Sequence, residues 1–256
     1  MTKTEQIIKL HKKGHTVNQI SDLLCIKANM VRTIINRKGF KVNRYKKVNV
    51  DNKLKQFIYG TVLGDGHLTK VAGAVKNSRL TLIHGMKQCK YVEYKSSILS
   101  NYDITNTVKA VSWTDRRFPN KKQTGMSLRS KCHPLFTKYR KLFYLNGSKI
   151  IPDIVLNELD AFGISFLFMD DGYITTSSII LSLCGFELEY INRFKKMFYD
   201  RYNLEFNITK DKRVKGNKGY RLYLKTKCFD EFKKLVSPYI LKEFNYKLVP
   251  YTRRVL

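Results

Sequence analysis

FIYGTVLGDGHL at residues 57–68 and FGISFLFMDDGYI at residues 162–174 end alike, each an apolar run that stops at an Asp-Gly pair. Asp65 and Asp171 stand 106 positions apart (171 − 65 = 106), and the sequence around them repeats in the same order. Leu80-Thr81-Leu82 answers Leu181-Ser182-Leu183, and Tyr102-Asp103-Ile104 answers Tyr202-Asn203-Leu204. Leu128-Arg129-Ser130-Lys131-Cys132 answers Leu224-Lys225-Thr226-Lys227-Cys228, and Lys149-Ile150-Ile151-Pro152 answers Lys247-Leu248-Val249-Pro250. Matching segments in one order, at an offset of about one hundred residues, mark a duplicated unit. One acidic turn per copy predicts a pseudo-two-fold molecule with two carboxylates at its centre.

A partner with matching two-fold symmetry follows, and duplex DNA has it. The charge agrees: 49 Lys plus Arg against 20 Asp plus Glu give a formal net charge of +29. Such an excess attracts a polyanion through counterion release. With 256 residues, 43% of them hydrophobic, the chain can bury a large core, which argues against wholesale disorder. The longest apolar stretch, around Phe162–Met169, is too short to span a bilayer, and the opening MTKTEQIIKL has no signal-peptide apolar region. A cytoplasmic protein is expected, working on the nucleoid of a bacterial or phage host or in an organelle, with no membrane partner. Cysteines 25, 89, 132, 184 and 228 form no C-x-x-C pair, which argues against a zinc knuckle or a disulfide framework.

Four segments follow along the chain. Residues 1–40 read as a small all-α module. Thr4 is the expected cap of a first helix ending at Gly14, and Thr16 opens a second with Ile20, Leu23 and Leu24 on one face. After a turn at Cys25-Ile26-Lys27, Val31, Ile34 and Ile35 mark a third helix closing at Gly39. The spacing resembles a helix-turn-helix, with Lys27, Asn29, Arg32 and Thr33 facing a DNA groove. Residues 41–54 read as a basic linker. Residues 55–152 and 153–256 are the two copies. Strands are expected over 78–84, 106–114 and 123–130 with a helix near 134–144, then a hairpin over 173–185, a helix over 188–202 and strands over 205–210 and 219–226.

A carboxylate at the C-terminal end of a helix meets the negative end of the helix dipole, and two such ends together repel further. A divalent cation between them relieves both penalties and can activate water against a phosphodiester. The glycine after each Asp is expected to make a positive-φ turn. Gly60 and Gly64, four apart, allow two helix backbones to approach closely.

Both segments resemble the signature of the LAGLIDADG homing endonucleases in their monomeric, two-motif form. Ile58 to Gly66 covers the first nonapeptide, and Ile164 to Gly172 the second in an F-M-D-D-G variant. LTLIHGMKQCKYVEY, YLNGSKIIP and FNYKL extend the resemblance over roughly residues 55–250. It implies an α+β fold of two αββαββα subdomains whose motif helices form the interface and whose antiparallel sheets lie in successive major grooves. It also implies cleavage of both DNA strands across the minor groove, with Mg²⁺ or Mn²⁺, leaving short 3′ extensions. Carried over, Asp65 and Asp171 are the catalytic metal ligands, with Gly64 and Asp170 beside them in the metal site. Lys149 and Lys247 match basic residues near the scissile phosphates, and His84 a position that contacts water or phosphate. The internal glycine of the second signature is Phe166 here, so its packing face is expected to shift toward Ala161 and Ser165.

Base readout then falls to the polar sheet faces, with Arg79, Lys109, Arg116, Arg117, Arg129, Arg221 and Lys225 as members. The leading expectation is an intron-encoded, site-specific double-strand DNA endonuclease acting as a monomer. An intron-RNA maturase and a non-cutting transcriptional regulator are the rivals. Both tolerate loss of the acidic pair, which this chain retains.

Overall fold

A computed structural model of the chain describes residues 1–42, 45–70, 77–114, 119–212 and 214–249. It forms two compact units, Met1–Asn49 and Val50–Leu256. In the first, α1 (Lys3–Lys12), α2 (Val17–Leu24) and α3 (Ala28–Arg37) close around Ile7, Val17, Ile20, Val31 and Ile35. The first cap is Thr2, not Thr4: Glu5 N–H donates to Thr2 Oγ1 while Thr2 N–H donates to Glu5 Oε2, a reciprocal capping box. Thr16 caps α2 in the same way with Gln19. Cys25 ends α2 in the left-handed region at φ 50°, a conformation more often given to glycine. Leu23, expected inside, is 59% exposed.

The second unit carries the duplication openly. The first copy runs α4 (Asn52–Leu63), β1 (His67–Thr69), β2 (Arg79–Gly85), α5 (Cys89–Ser100), β3 (Thr105–Thr114), β4 (Lys122–Ser130) and α6 (Pro134–Phe143). A short hairpin, β5 (Tyr144–Leu145) with β6 (Ser148–Lys149), and α7 (Asp153–Glu158) lead to the second copy. That copy repeats the order as α8 (Ala161–Asp171), β7 (Gly172–Ile174), β8 (Ile179–Leu181), α9 (Leu188–Tyr202), β9 (Phe206–Lys210), β10 (Tyr220–Leu224) and α10 (Phe229–Val236). Both four-stranded sheets are antiparallel with the same strand order, β1-β2-β4-β3 and β7-β8-β10-β9. The fold is thus α+β with two αββαββα halves.

The strand registers correct the sequence correspondence. Gly172 pairs with Leu181; in the first copy the ladder that joins His67 to Thr81 puts Leu82 in the same place. Leu82 then faces Leu128, as Leu181 faces Leu222. The LTL and LSL segments are therefore shifted by two residues, which conserves the inward face because side chains alternate with a period of two. The linker expectation is trimmed as well: Asp51 caps α4 by accepting Leu54 N–H at 2.8 Å, so residues 52–54 are helical.

Every residue from Gln56 to Leu63 in α4 and from Gly163 to Met169 in α8 is buried. Helices apolar all round belong in the middle of a fold, and each buried Leu, Ile or Phe there contributes about 2 kcal/mol. Their crossing rests on two glycines. A Cβ on Gly60 would lie 2.0 Å from the Gly163 carbonyl oxygen. The expected shift toward Ala161 and Ser165 does not occur, because the glycine lost at Phe166 is replaced one turn earlier by Gly163. Phe57 corresponds to Gly163 and Gly60 to Phe166, at the same separation as the aspartates. Each copy thus sets a large residue where the other has none, and Phe57 and Phe166 meet edge to face at 5.2 Å.

Gly60→Val is expected to cost about 3 kcal/mol in chemical denaturation through overpacking. Gly85→Ala, where an added Cβ meets nothing within 4 Å, should stay within about 0.5 kcal/mol of the parent.

Candidate active site

The glycine crossing brings the C-terminal ends of α4 and α8 together, and with them Asp65 and Asp171. Gly66 and Gly172 do not adopt the positive φ expected of them. They are glycine because a Cβ would strike the preceding helix, 2.5 Å from the Thr61 carbonyl oxygen and 2.5 Å from that of Phe168. Burial raises the Asp171 carboxyl to about 7, with the charges of Asp65 and Asp170 adding to it. Burial, and then Asp170, also holds the Asp65 carboxyl above the usual range.

Lys149 and Lys247 flank this pair, and neither is a surface lysine. Lys149 Nζ donates to the carbonyls of Gly64 and Gly66, both at 3.0 Å. Lys247 Nζ donates to those of Met169 at 2.7 Å and Phe168 at 3.4 Å. Lys247 therefore sits against carbonyls of the last turn of α8, and Lys149 against the cap and turn that follow α4, both near a helix end where the dipole is negative. Burial lowers both, Lys247 to about 8, against the pull of the nearby aspartates.

Asp170 and His84 belong to a denser cluster on the Asp65 side. Lys95 and Asp170 have fully buried side chains, with Lys95 Nζ 2.7 Å from Oδ1 and 2.9 Å from Oδ2. Tyr91 O–H donates to Asp170 Oδ1 at 2.8 Å, and Asp65 N–H to Oδ2 at 3.2 Å. Lys95 Nζ also lies 3.3 Å from His84 Nε2 and 4.2 Å from the centre of the Tyr91 ring. His84 Nδ1 faces Asp65 Oδ2 at 3.5 Å. Burial first, then the Lys95 charge, lowers the His84 imidazole to about 4, so it is neutral at pH 7. Donor atoms of Asp65, His84 and Asp170 lie within 4.8 Å of one another, but the Lys95 ammonium already supplies positive charge there. Lys95 and Tyr91, on α5, are not among the residues to which the repeated motifs point. A lysine among buried positions of an amphipathic helix was the available signal.

The basic residues separate by the element that carries them. Arg79, Lys109 and Arg129 share the outward face of the first sheet, opposite to Leu80, Leu82 and His84, and Arg129 is flanked there by Thr81 and Thr107. In the second sheet Arg221 is engaged with Asp211 at 2.6 Å and Lys225 with Glu205 at 2.6 Å, so both are internally paired. Lys27, Asn29, Arg32 and Thr33 are exposed together at the start of α3, where Arg32 Nη1 donates to Asn29 Oδ1 at 3.0 Å. Arg116 and Arg117 lie outside the described residues.

Lys95→Met, which strands a buried carboxylate, is expected to cost about 3–5 kcal/mol. Adding Asp170→Asn should recover a large part of that loss, as a denaturation double-mutant cycle would record. A pH effect follows from Asp171. Its folded-state pKa is raised, so its contribution to stability is complete below pH 4 and lost as pH rises through about 7. In metal-free buffer, thermal melts across that window should show the parent losing stability relative to Asp171→Asn as pH rises, a comparison in which the opposite contribution of His84, lowered to about 4, is common to both proteins.

Comparison with known proteins is consistent with this geometry. Residues 55–232 match the model of the LAGLIDADG DNA endonuclease family. "Probable intron-encoded endonuclease 1" of Wickerhamomyces canadensis is 25% identical, over 86% of this chain and 98% of its own length. "Cytochrome b mRNA maturase bI2" of Saccharomyces cerevisiae is also 25% identical, over 98% of this chain but 58% of its own length. The solved structure of "the homing endonuclease I-WcaI bound to its DNA recognition sequence" shares the fold, with a TM-score of 0.70 at 23% identity over 90% of this chain and 97% of that one. Among the described residues no helix is long and apolar enough to cross a membrane. A duplicated αββαββα unit, two buried motif helices each delivering one carboxylate, and a family match across most of the chain have one conclusion: the protein belongs to the LAGLIDADG DNA endonucleases.

Proposed function

We propose that this chain is an intron-encoded, site-specific homing endonuclease that cuts both strands of a long asymmetric DNA target as a monomer. The observation that carries the reading is the pair Asp65 and Asp171 at the ends of two helices in glycine contact. Their donor set fits a divalent cation, since both carboxyls are pushed up by burial and by neighbouring negative charge, and a cation removes that repulsion. Asp65 and Asp171 would hold Mg²⁺ or Mn²⁺, with the Gly64 carbonyl beside them. The four lone-pair positions of Asp170 are taken by Lys95 twice, Tyr91 and the Asp65 N–H, which removes it from the ligand set. The metal supplies a more acidic water and charge stabilisation at the phosphate.

The chain's own residues do the rest. Lys149 and Lys247 each spend two of three donors on main-chain carbonyls, leaving one N–H apiece for a phosphate oxygen. His84, neutral and facing Asp65, orients the carboxylate or an adjoining water. Exposed Lys109 and Arg129 with half-buried Arg79 offer a cationic sheet face for the groove. The three-helix unit presents Lys27, Asn29 and Arg32 as a further contact, in the manner of a helix-turn-helix. The protein works where its target DNA lies, in a nucleoid or an organelle.

The decisive experiment is incubation with DNA carrying the intron-less junction of the gene's own locus, with Mg²⁺ and with EDTA. Staggered, Mg²⁺-dependent cutting at one site is expected. Tight binding with no cut would replace this reading with that of a regulator. A preference for the intron RNA would favour a maturase, the function named for the yeast relative that aligns with almost the whole chain. Asp65→Asn and Asp171→Asn should each abolish double-strand cutting while target affinity stays within about tenfold; full cutting by either would refute the shared site. Removing Met1–Asn49 should weaken binding and flatten its salt dependence without changing the cut position.

A further inference from the structure

The charge cluster on the Asp65 side has no counterpart on the Asp171 side. Asp170 occupies the position that is Gly64 in the other copy, at the separation shared by the two aspartates. Leu82 and Leu181 hold the same ladder position, so two residues on His84 corresponds to Leu183, which is 1% exposed. The buried positions of α5 and α9 match as Val92/Ile191, Ile98/Met197 and Leu99/Phe198, which sets Lys95 against the buried Phe194. Where one side of the pseudo-dyad holds Asp, His and Lys, the other holds Gly, Leu and Phe. Three ionisable groups are buried where the duplicated plan shows that apolar ones pack. Such burial is costly and needs full mutual satisfaction.

That satisfaction fixes chemistry. An ammonium has three donors and no acceptor. Lys95 directs them at Asp170 Oδ1, Asp170 Oδ2 and His84 Nε2. His84 Nε2 must then be the unprotonated acceptor, and the single ring proton sits on Nδ1, the nitrogen that faces Asp65 Oδ2. Asp170 meanwhile fixes the Asp65 main chain through its N–H. We propose that Lys95, paired with Asp170, is a positioning residue that locks His84 as an Nδ1–H donor toward Asp65, on one half of the site only. The consequence is unequal half-sites, so the two DNA strands are cut at different rates. This rests on the endonuclease reading for its consequence but not for its geometry.

The test uses the full chain with ¹⁵N-labelled histidine, the His84 resonances being assigned with a His84→Gln sample. The wild type should show His84 as Nδ1–H. Lys95→Met with Asp170→Asn, which removes both buried charges together, should shift it to Nε2–H or to a mixture. An Nε2–H form in the wild type, or an unaltered Nδ1–H form in the double variant, overturns the proposal. The wild-type spectrum decides even if the variant does not fold, and it needs no DNA, so it is independent of the target. On a strand-labelled target, cutting of one strand by the double variant should slow by about a hundredfold relative to the other, so that nicked DNA accumulates. Equal slowing of both strands would overturn the one-sidedness.

Discussion

The molecule depends on one close contact, the approach of the Gly60 backbone in α4 to the Gly163 carbonyl in α8. A side chain larger than hydrogen at position 60 has no place to go. With the helices at this spacing, the pseudo-dyad runs between them and their two C-terminal ends emerge side by side. Both sheets, hung from these helices in the same strand order, inherit the symmetry. The placing of the two carboxylates side by side is therefore set by helix packing in the middle of the protein.

Bringing two negative helix ends and three aspartates together creates an electrostatic problem that the chain answers in part with its own cations. Lys149 binds carbonyls of the turn that leaves α4, and Lys247 binds carbonyls of the last turn of α8. Lys95 neutralises Asp170 alone, in a buried bidentate pair. What remains uncompensated is the repulsion felt by Asp171 and Asp65, the place where a divalent cation is favoured. Paired and unpaired negative charge are thus told apart by which lone pairs are already occupied.

The duplication also shows how symmetry is kept in shape and broken in chemistry. Phe57 and Gly60 exchange roles with Gly163 and Phe166 across the dyad, so the interface volume is conserved although neither position is. The same freedom admits His84 and Lys95 where Leu183 and Phe194 stand in the other copy. The two halves are thus unequal in chemistry, and the inequality reaches the surroundings of the Asp65 carboxylate.

Much of this was legible in the sequence. The repeated apolar run before Asp-Gly pointed to Asp65 and Asp171, and the Lys149/Lys247 recurrence to two lysines that the fold brings near them, because a duplicated backbone places duplicated residues alike. The alternation of β2, β3 and β4 showed which face carried Arg79, Lys109 and Arg129. Sequence could not reveal that Gly66 and Gly172 are required by steric contact instead of by turn conformation. Nor could it reveal that Arg221 and Lys225 are held by Asp211 and Glu205. It missed Lys95 and Tyr91, whose partner Asp170 is 75 and 79 residues away. The sequence by itself determined the two-fold plan and its acidic pair, since these follow from local periodicity and repetition. Only the tertiary structure decided which charges are spent on one another, because lone pairs and donors are consumed by neighbours in space and not by neighbours in the chain.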